Sequence, residues 1–142
     1  MRICIAQTRS IKGNVQKNIQ NHLRIIEHAI ALNADLIVFP ELSITGYEPE
    51  LAKELVTTTE DNIFLPFQEV ADSNGIAIGI GMPTNGIDGV HISMLIFEPN
   101  KNGVVYSKQM LHDDELPFFT AGSHQAILTI KGSKIAFGIC YE

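Results

Sequence analysis

The chain has 142 residues, 45% of them hydrophobic and 18% charged, which is the size and composition of one globular domain with a real core. Its formal net charge is −6 and no basic stripe is present, which argues against nucleic acid or an anionic membrane surface as partner. No apolar stretch approaches the ~20 residues of a membrane span, and the opening MRICIAQ lacks a signal peptide's apolar core, so a cytosolic protein is expected.

In chain order, Arg2 to Gln7 alternates like a short strand and places Cys4 between Ile3 and Ile5 in the core. Asn14 reads as an N-cap, and Val15, Ile19, Leu23, Ile26 and Ile30 recur at helical spacing through Asn33. His22 and His28 on that helix are six apart, do not share a face, and read as surface residues. Asp35 to Phe39 (DLIVF) is a continuous apolar run of strand length, as expected when both faces are covered. After a polar, proline-containing loop, Ile63, Phe67, Val70 and Ala71 mark a second helix, in which Pro66 must lie near the first turn. Ile76–Met82, Ile92–Phe97, Val104–Ser107, Gln125–Ile130 and Lys134–Ile139 read as strands. The turns between them carry Asn85-Gly86, Asn102-Gly103 and Lys131-Gly132. This order predicts an α/β fold, a mixed sheet with helices packed on it. The longest irregular segment, Gln109 to His124, is a candidate functional loop.

Three residues stand at the ends of strands. Glu41 follows DLIVF and a proline that disfavours helix at the residue before it, so the carboxylate is aimed off the sheet edge. Lys108 follows VVYS, and Cys140 follows the apolar run KIAFGI. Singly, each has an ordinary structural reading: a loop glutamate, a solvated lysine, a cysteine filling the core. Ligands of α/β sheets bind at strand ends, and a carboxylate, an ammonium and a thiol together make a specific chemistry. The carboxylate accepts the thiol proton, and the ammonium favours the thiolate and a developing oxyanion. That is acyl transfer through a thioester, with an amide or nitrile carbon as electrophile. The two cysteines make no disulfide framework and are expected as free thiols. Consecutive residues such as His112-Asp113-Asp114-Glu115 rarely converge on one ion, and no H-x-x-x-H spacing accompanies them, so no metal is assigned.

FPELSITGY, YSKQML and GICYE, in this order and spacing, resemble the three signature segments of the nitrilase (carbon–nitrogen hydrolase) superfamily, and the resemblance runs over essentially the whole chain. It implies an α-β-β-α sandwich and a Glu-Lys-Cys triad: Glu41 as general base, Lys108 as oxyanion stabiliser, Cys140 as nucleophile. It also implies a second glutamate in a segment ending Phe-x-x-Gly, which places Glu115 in that role ahead of Phe119-Thr-Ala-Gly122, and an oxyanion donor in the Tyr141 backbone N–H. The implied reaction is hydrolysis of a small amide, ahead of a nitrile, with no cofactor and no metal, by a protein that forms a homo-oligomer at full length. Where Lys108 and a following helix N-terminus both act on it, in a chain long enough to form that helix, the thiol of Cys140 is expected below its ordinary pKa of about 8.5.

Two positions depart from the family pattern: Met110 stands where a histidine is usual, and Ile92 where an asparagine is usual. Family members also continue well past the nucleophile. Residues 1–142 are therefore expected to be the N-terminal portion of such a domain, truncated after the nucleophile strand. Two helices can cover one sheet face only, so an exposed apolar surface is expected as well. The alternatives are a truncated, non-catalytic fragment and a binding module of the same fold.

Overall fold

A computed structural model describes all 142 residues. Strand β1 (Ile3–Ile5) is shorter than the alternating pattern, because three of its residues find partners, Leu36, Ile37 and Val38 of β2 (Leu36–Val38), in parallel. Between them runs helix α1 (Val15–Ala31), started by Asn14, whose side chain accepts from the Lys17 N–H. Ile19, Ile26 and Ala29 are buried on its inner face. His22 is buried with them, only 2% exposed, which corrects its reading as a surface residue. It lies three beyond Ile19 and four before Ile26, on the same helical stripe, and its ring stacks on Phe39. His28 is exposed, and Cys4 is half-buried against the core.

A single 3-10 turn at Asn62–Phe64 leads into α2 (Leu65–Asn74), with Pro66 in its first turn and Gly75 closing it at φ 65°. Strand β3 (Ala77–Asn85) pairs parallel to β2, then β4 (Val90–Phe97) and β5 (Val104–Ser107) add antiparallel, giving a five-stranded sheet in the order β1-β2-β3-β4-β5. β3 outruns its predicted end because β4 keeps pairing with it as far as Asn85 opposite Val90.

Period-two alternation divides this sheet. One face, with Ile37, Ile78, Ile80, Leu95 and Phe97, packs on the two helices through Ile26, Phe64, Phe67 and Ala71. The other, with Ile92, Met94, Ile96 and Tyr106, packs on Leu128, Phe137 and Ile139. These last belong to or follow a second sheet, the hairpin of β6 (Ile127–Ile130) and β7 (Ser133–Ala136). Its turn has Lys131 and Gly132 both at positive φ, the two-residue geometry that matches strand twist. β7 stops at Ala136, earlier than expected, because β6 starts opposite it at Ile127 and offers nothing beyond. Gln125 instead donates its side-chain amide to the Phe137 carbonyl.

Helices, five-stranded sheet and hairpin are thus the first three layers of an α-β-β-α sandwich. The far face is less bare than two helices alone would leave it. Apolar side chains stay open at the β1 edge, where Ile3 and Ile5 are 44% and 75% exposed, and on the hairpin, where Ile127 is 63% exposed.

Candidate active site

Glu41 sits in a tight turn that follows β2, closed by Ser43 N–H to Pro40 O and by Thr45 and Gly46 N–H to Leu42 O. Gly81 of β3 lies directly beneath. A Cβ there would stand 2.3 Å from Pro40 O and 2.4 Å from Leu42 N, so only glycine admits this turn. The Gly81 N–H donates to Ser43 Oγ at 3.1 Å, and Ser43 Oγ lies 2.9 Å from His22 Nε2. His22 Nδ1 is 2.7 Å from the Asn18 carbonyl, which can only accept. The proton therefore resides on Nδ1, and Nε2 accepts from the Ser43 hydroxyl. Burial lowers the histidine's pKa to about 4, so the ring is neutral. Asn18 adds two bonds, its amide donating to the Ile11 and Ile44 carbonyls. The buried polar stripe of α1 props the Glu41 turn. Sequence reading missed it, although Asn18 and His22, four apart, share the stripe of Ile19 and Ile26.

Lys108 is fixed on both sides of its backbone, donating to Ile92 O at 2.8 Å and accepting from Gly122 N–H at 2.7 Å. Gly122 must be glycine here, since a Cβ would meet Ser107 O at 2.4 Å. The lysine is 1% exposed, and its Nζ donates to Glu41 Oε1 and Glu115 Oε1, each at 2.7 Å. Burial alone would lower its pKa, but the bonds to Glu115 and Glu41 outweigh burial and hold the ammonium charged. Glu115 is buried in the long loop, where its second oxygen accepts from His112 N–H at 2.8 Å and the Tyr47 hydroxyl donates to its first at 3.2 Å. Burial and the Glu115 charge push Tyr47 up to about 12, so that hydroxyl keeps its proton. Within His112–Glu115 the carboxylates diverge: Asp114 meets the His112 ring while Glu115 turns inward to Lys108.

Cys140 follows buried Ile139 and opens to solvent. Its φ of 54° is a strained, left-handed conformation for a residue with a side chain. Its thiol pKa is raised, first by the desolvation of its inward side, then by the charge of Glu41, with Lys108 pulling the other way. The lowered value expected from the sequence counts on a helix N-terminus after Cys140 as well as on Lys108, and residues 1–142 do not include that helix. Two carboxylates face the thiol, and the single ammonium is already shared between them. The Tyr141 N–H donates to no protein acceptor, and its side chain is 77% exposed. Of the two departing positions, Met110 points to solvent and Ile92 is sealed between the sheets.

The structure thus brings Glu41, Lys108 and Glu115 into direct contact, with Cys140 beside them. Residues 2–142 match the family model described as carbon-nitrogen hydrolase. The glutamine-dependent NAD(+) synthetase of Acinetobacter baylyi is 30% identical over 150 residues, spanning 99% of this chain and 27% of its own. An amidase from Nesterenkonia sp. superposes with a TM-score of 0.83 at 23% identity, over 99% of this chain and 56% of its own. A CN-hydrolase superfamily protein from Xanthomonas campestris does so with a TM-score of 0.87 at 22% identity, over 99% and 53%. The chain therefore spans about a quarter of the synthetase's length and little more than half of each solved structure's.

Proposed function

The chain belongs to the carbon-nitrogen hydrolase family, and on that premise we propose that its site hydrolyses the carbon–nitrogen bond of a small primary amide through a thioester on Cys140. Residues 1–142 supply the N-terminal portion of that domain. In the first half-reaction Glu41 accepts the thiol proton as sulfur attacks the amide carbon. The carbonyl oxygen becomes an oxyanion facing the Lys108 ammonium and the Tyr141 N–H. Collapse expels ammonia, protonated by Glu41, and leaves an acyl thioester. In the second half Glu41 takes a proton from water as it attacks the thioester, the carboxylic acid leaves, and the proton returns to sulfur. Glu115 holds Lys108 in place and balances its charge throughout.

A raised thiol pKa suits this scheme. A thiol that is protonated at rest needs a neighbouring base at the moment of attack, and Glu41 is that base. A primary amide is favoured because glutamine, on which the synthetase relatives are by name dependent, carries one. No helix here is long and apolar enough to cross a membrane.

One observation carries the reading: a buried ammonium shared by two carboxylates beside a strained, solvent-open cysteine. The test is ammonia release from short primary carboxamides and L-glutamine, using the protein with whatever natural sequence continues from Glu142. Release is expected from the unaltered protein and not from Cys140→Ala. Release that survives the substitution would refute the mechanism, and an intact amide in both would favour a non-catalytic binding module.

A further inference from the structure

Two residues beyond the cysteine, Glu142 gathers four donors on one carboxylate. Its Oε2 accepts from Ile139 N–H at 2.7 Å and from the Tyr106 hydroxyl at 2.8 Å; its Oε1 accepts from Gln109 N–H at 2.6 Å and Met110 N–H at 3.2 Å. These donors come from two places. Ile139 belongs to the nucleophile turn, whereas Tyr106 lies on β5 of the other sheet and Gln109 and Met110 follow Lys108 just beyond that strand. The reach back to Ile139 resembles the third-residue arm of a capping box.

We propose that Glu142 is a positioning residue for the site: its carboxylate ties the Cys140 turn to the segment carrying Lys108 and so fixes the thiol against the Glu41–Lys108–Glu115 cluster. The inference rests on the hydrolase reading for its catalytic consequence, but the tether itself is a matter of geometry. A strained φ at Cys140 persists only where its surroundings over-determine it, and four bonds on the flanking carboxylate supply that constraint. Burial opposes the charge on Glu142, yet the amides of Ile139 and Gln109 and the Tyr106 hydroxyl outweigh it and lower its pKa. A glutamine cannot replace this carboxylate, because one of its two positions becomes a donor facing donors.

The test reads the thiol directly, so it does not depend on hydrolysis. The pH midpoint of Cys140 alkylation by iodoacetamide, with the labelled cysteine identified by mass, is compared among the unaltered protein, Glu142→Gln and Tyr106→Phe. The charged groups facing the thiol are Glu41, Lys108 and Glu115, with the His112 ring against neighbouring Tyr141. Released from them, the thiol is expected to fall back toward about 8.5, by about half a pH unit or more in Glu142→Gln and by less in Tyr106→Phe. The second variant removes a donor and no charge, so a downward shift there reports movement of the thiol rather than a lost carboxylate. It also decides the matter if Glu142→Gln does not fold. In the amidase assay kcat is expected to fall by about 100-fold with KM little changed. An unshifted midpoint in folded Tyr106→Phe would overturn the tether while leaving the hydrolase reading standing. Loss of the hydrolase reading would leave the alkylation result intact.

Discussion

The Lys108 ammonium lies 2.7 Å from Glu41 Oε1 and 2.7 Å from Glu115 Oε1, so one buried cation balances two carboxylates. Lys108→Met leaves those carboxylates facing each other without a counter-ion. It is expected to destabilise the fold by roughly 3–5 kcal/mol, read by urea denaturation, and to abolish ammonia release. Glu115→Gln keeps the shape and removes one charge. It is expected to fold and to lose about 100-fold in kcat, and full activity in that variant would remove Glu115 from the site.

Glu41 raises the Cys140 thiol pKa by its charge. Glu41→Gln removes that charge, so the alkylation midpoint of Cys140 is expected to move down while ammonia release falls by about 100- to 10,000-fold. Faster labelling with slower turnover separates a lost base from a damaged nucleophile. A midpoint that stayed in place would mean Glu41 does not face the thiol.

Gly81 and Gly75 make a matched pair. At Gly81 a methyl would collide with Pro40 O and Leu42 N, whereas at Gly75 it would meet nothing within 4 Å but must adopt φ 65°. Gly75→Ala is expected to cost about 1 kcal/mol, and Gly81→Ala clearly more, with loss of activity because the Glu41 turn must lift. Equal costs in thermal unfolding would contradict the close packing under that turn.

Much of this was legible in the sequence. Val104–Ser107 was read to the residue because three β-prone residues, Val104, Val105 and Tyr106, lie between turn signals, and α1 because its apolar period is long and Asn14 caps it. The run Lys134–Ile139 misled, since apolarity cannot show that β6 has no partner left to offer after Ala136. Glu41, Lys108 and Cys140 stand out as residue types at strand ends, and Glu115 only through the resemblance of its segment to the family pattern. Glu142 and His22 do not, because their roles exist only as hydrogen bonds across layers. The sequence shows one lysine near the thiol, but not that two carboxylates already share it.

His22 supplies a pH dependence of its own. Its pKa falls from 6.5 to about 4 on folding, chiefly by burial, so the unfolded chain binds the extra proton first. The stability this contributes is complete above pH 6.5 and is lost as pH falls toward 4, about 3 kcal/mol at full extent. The carboxylates with lowered values, Asp35, Asp114 and Glu142, act only below about pH 4.5. Urea unfolding between pH 6.5 and 5 is thus expected to show a slope that His22→Phe flattens. The same slope in both proteins would contradict a neutral, buried His22.

The central claim is a thioester on Cys140, and acid-quenched mass spectrometry during amide turnover tests it most directly. The account predicts that the peptide containing Cys140 gains the mass of the acyl group while ammonia is released, and that Cys4 does not. Turnover of the amide with an unmodified Cys140 peptide, or with the acyl group on another residue, would contradict it.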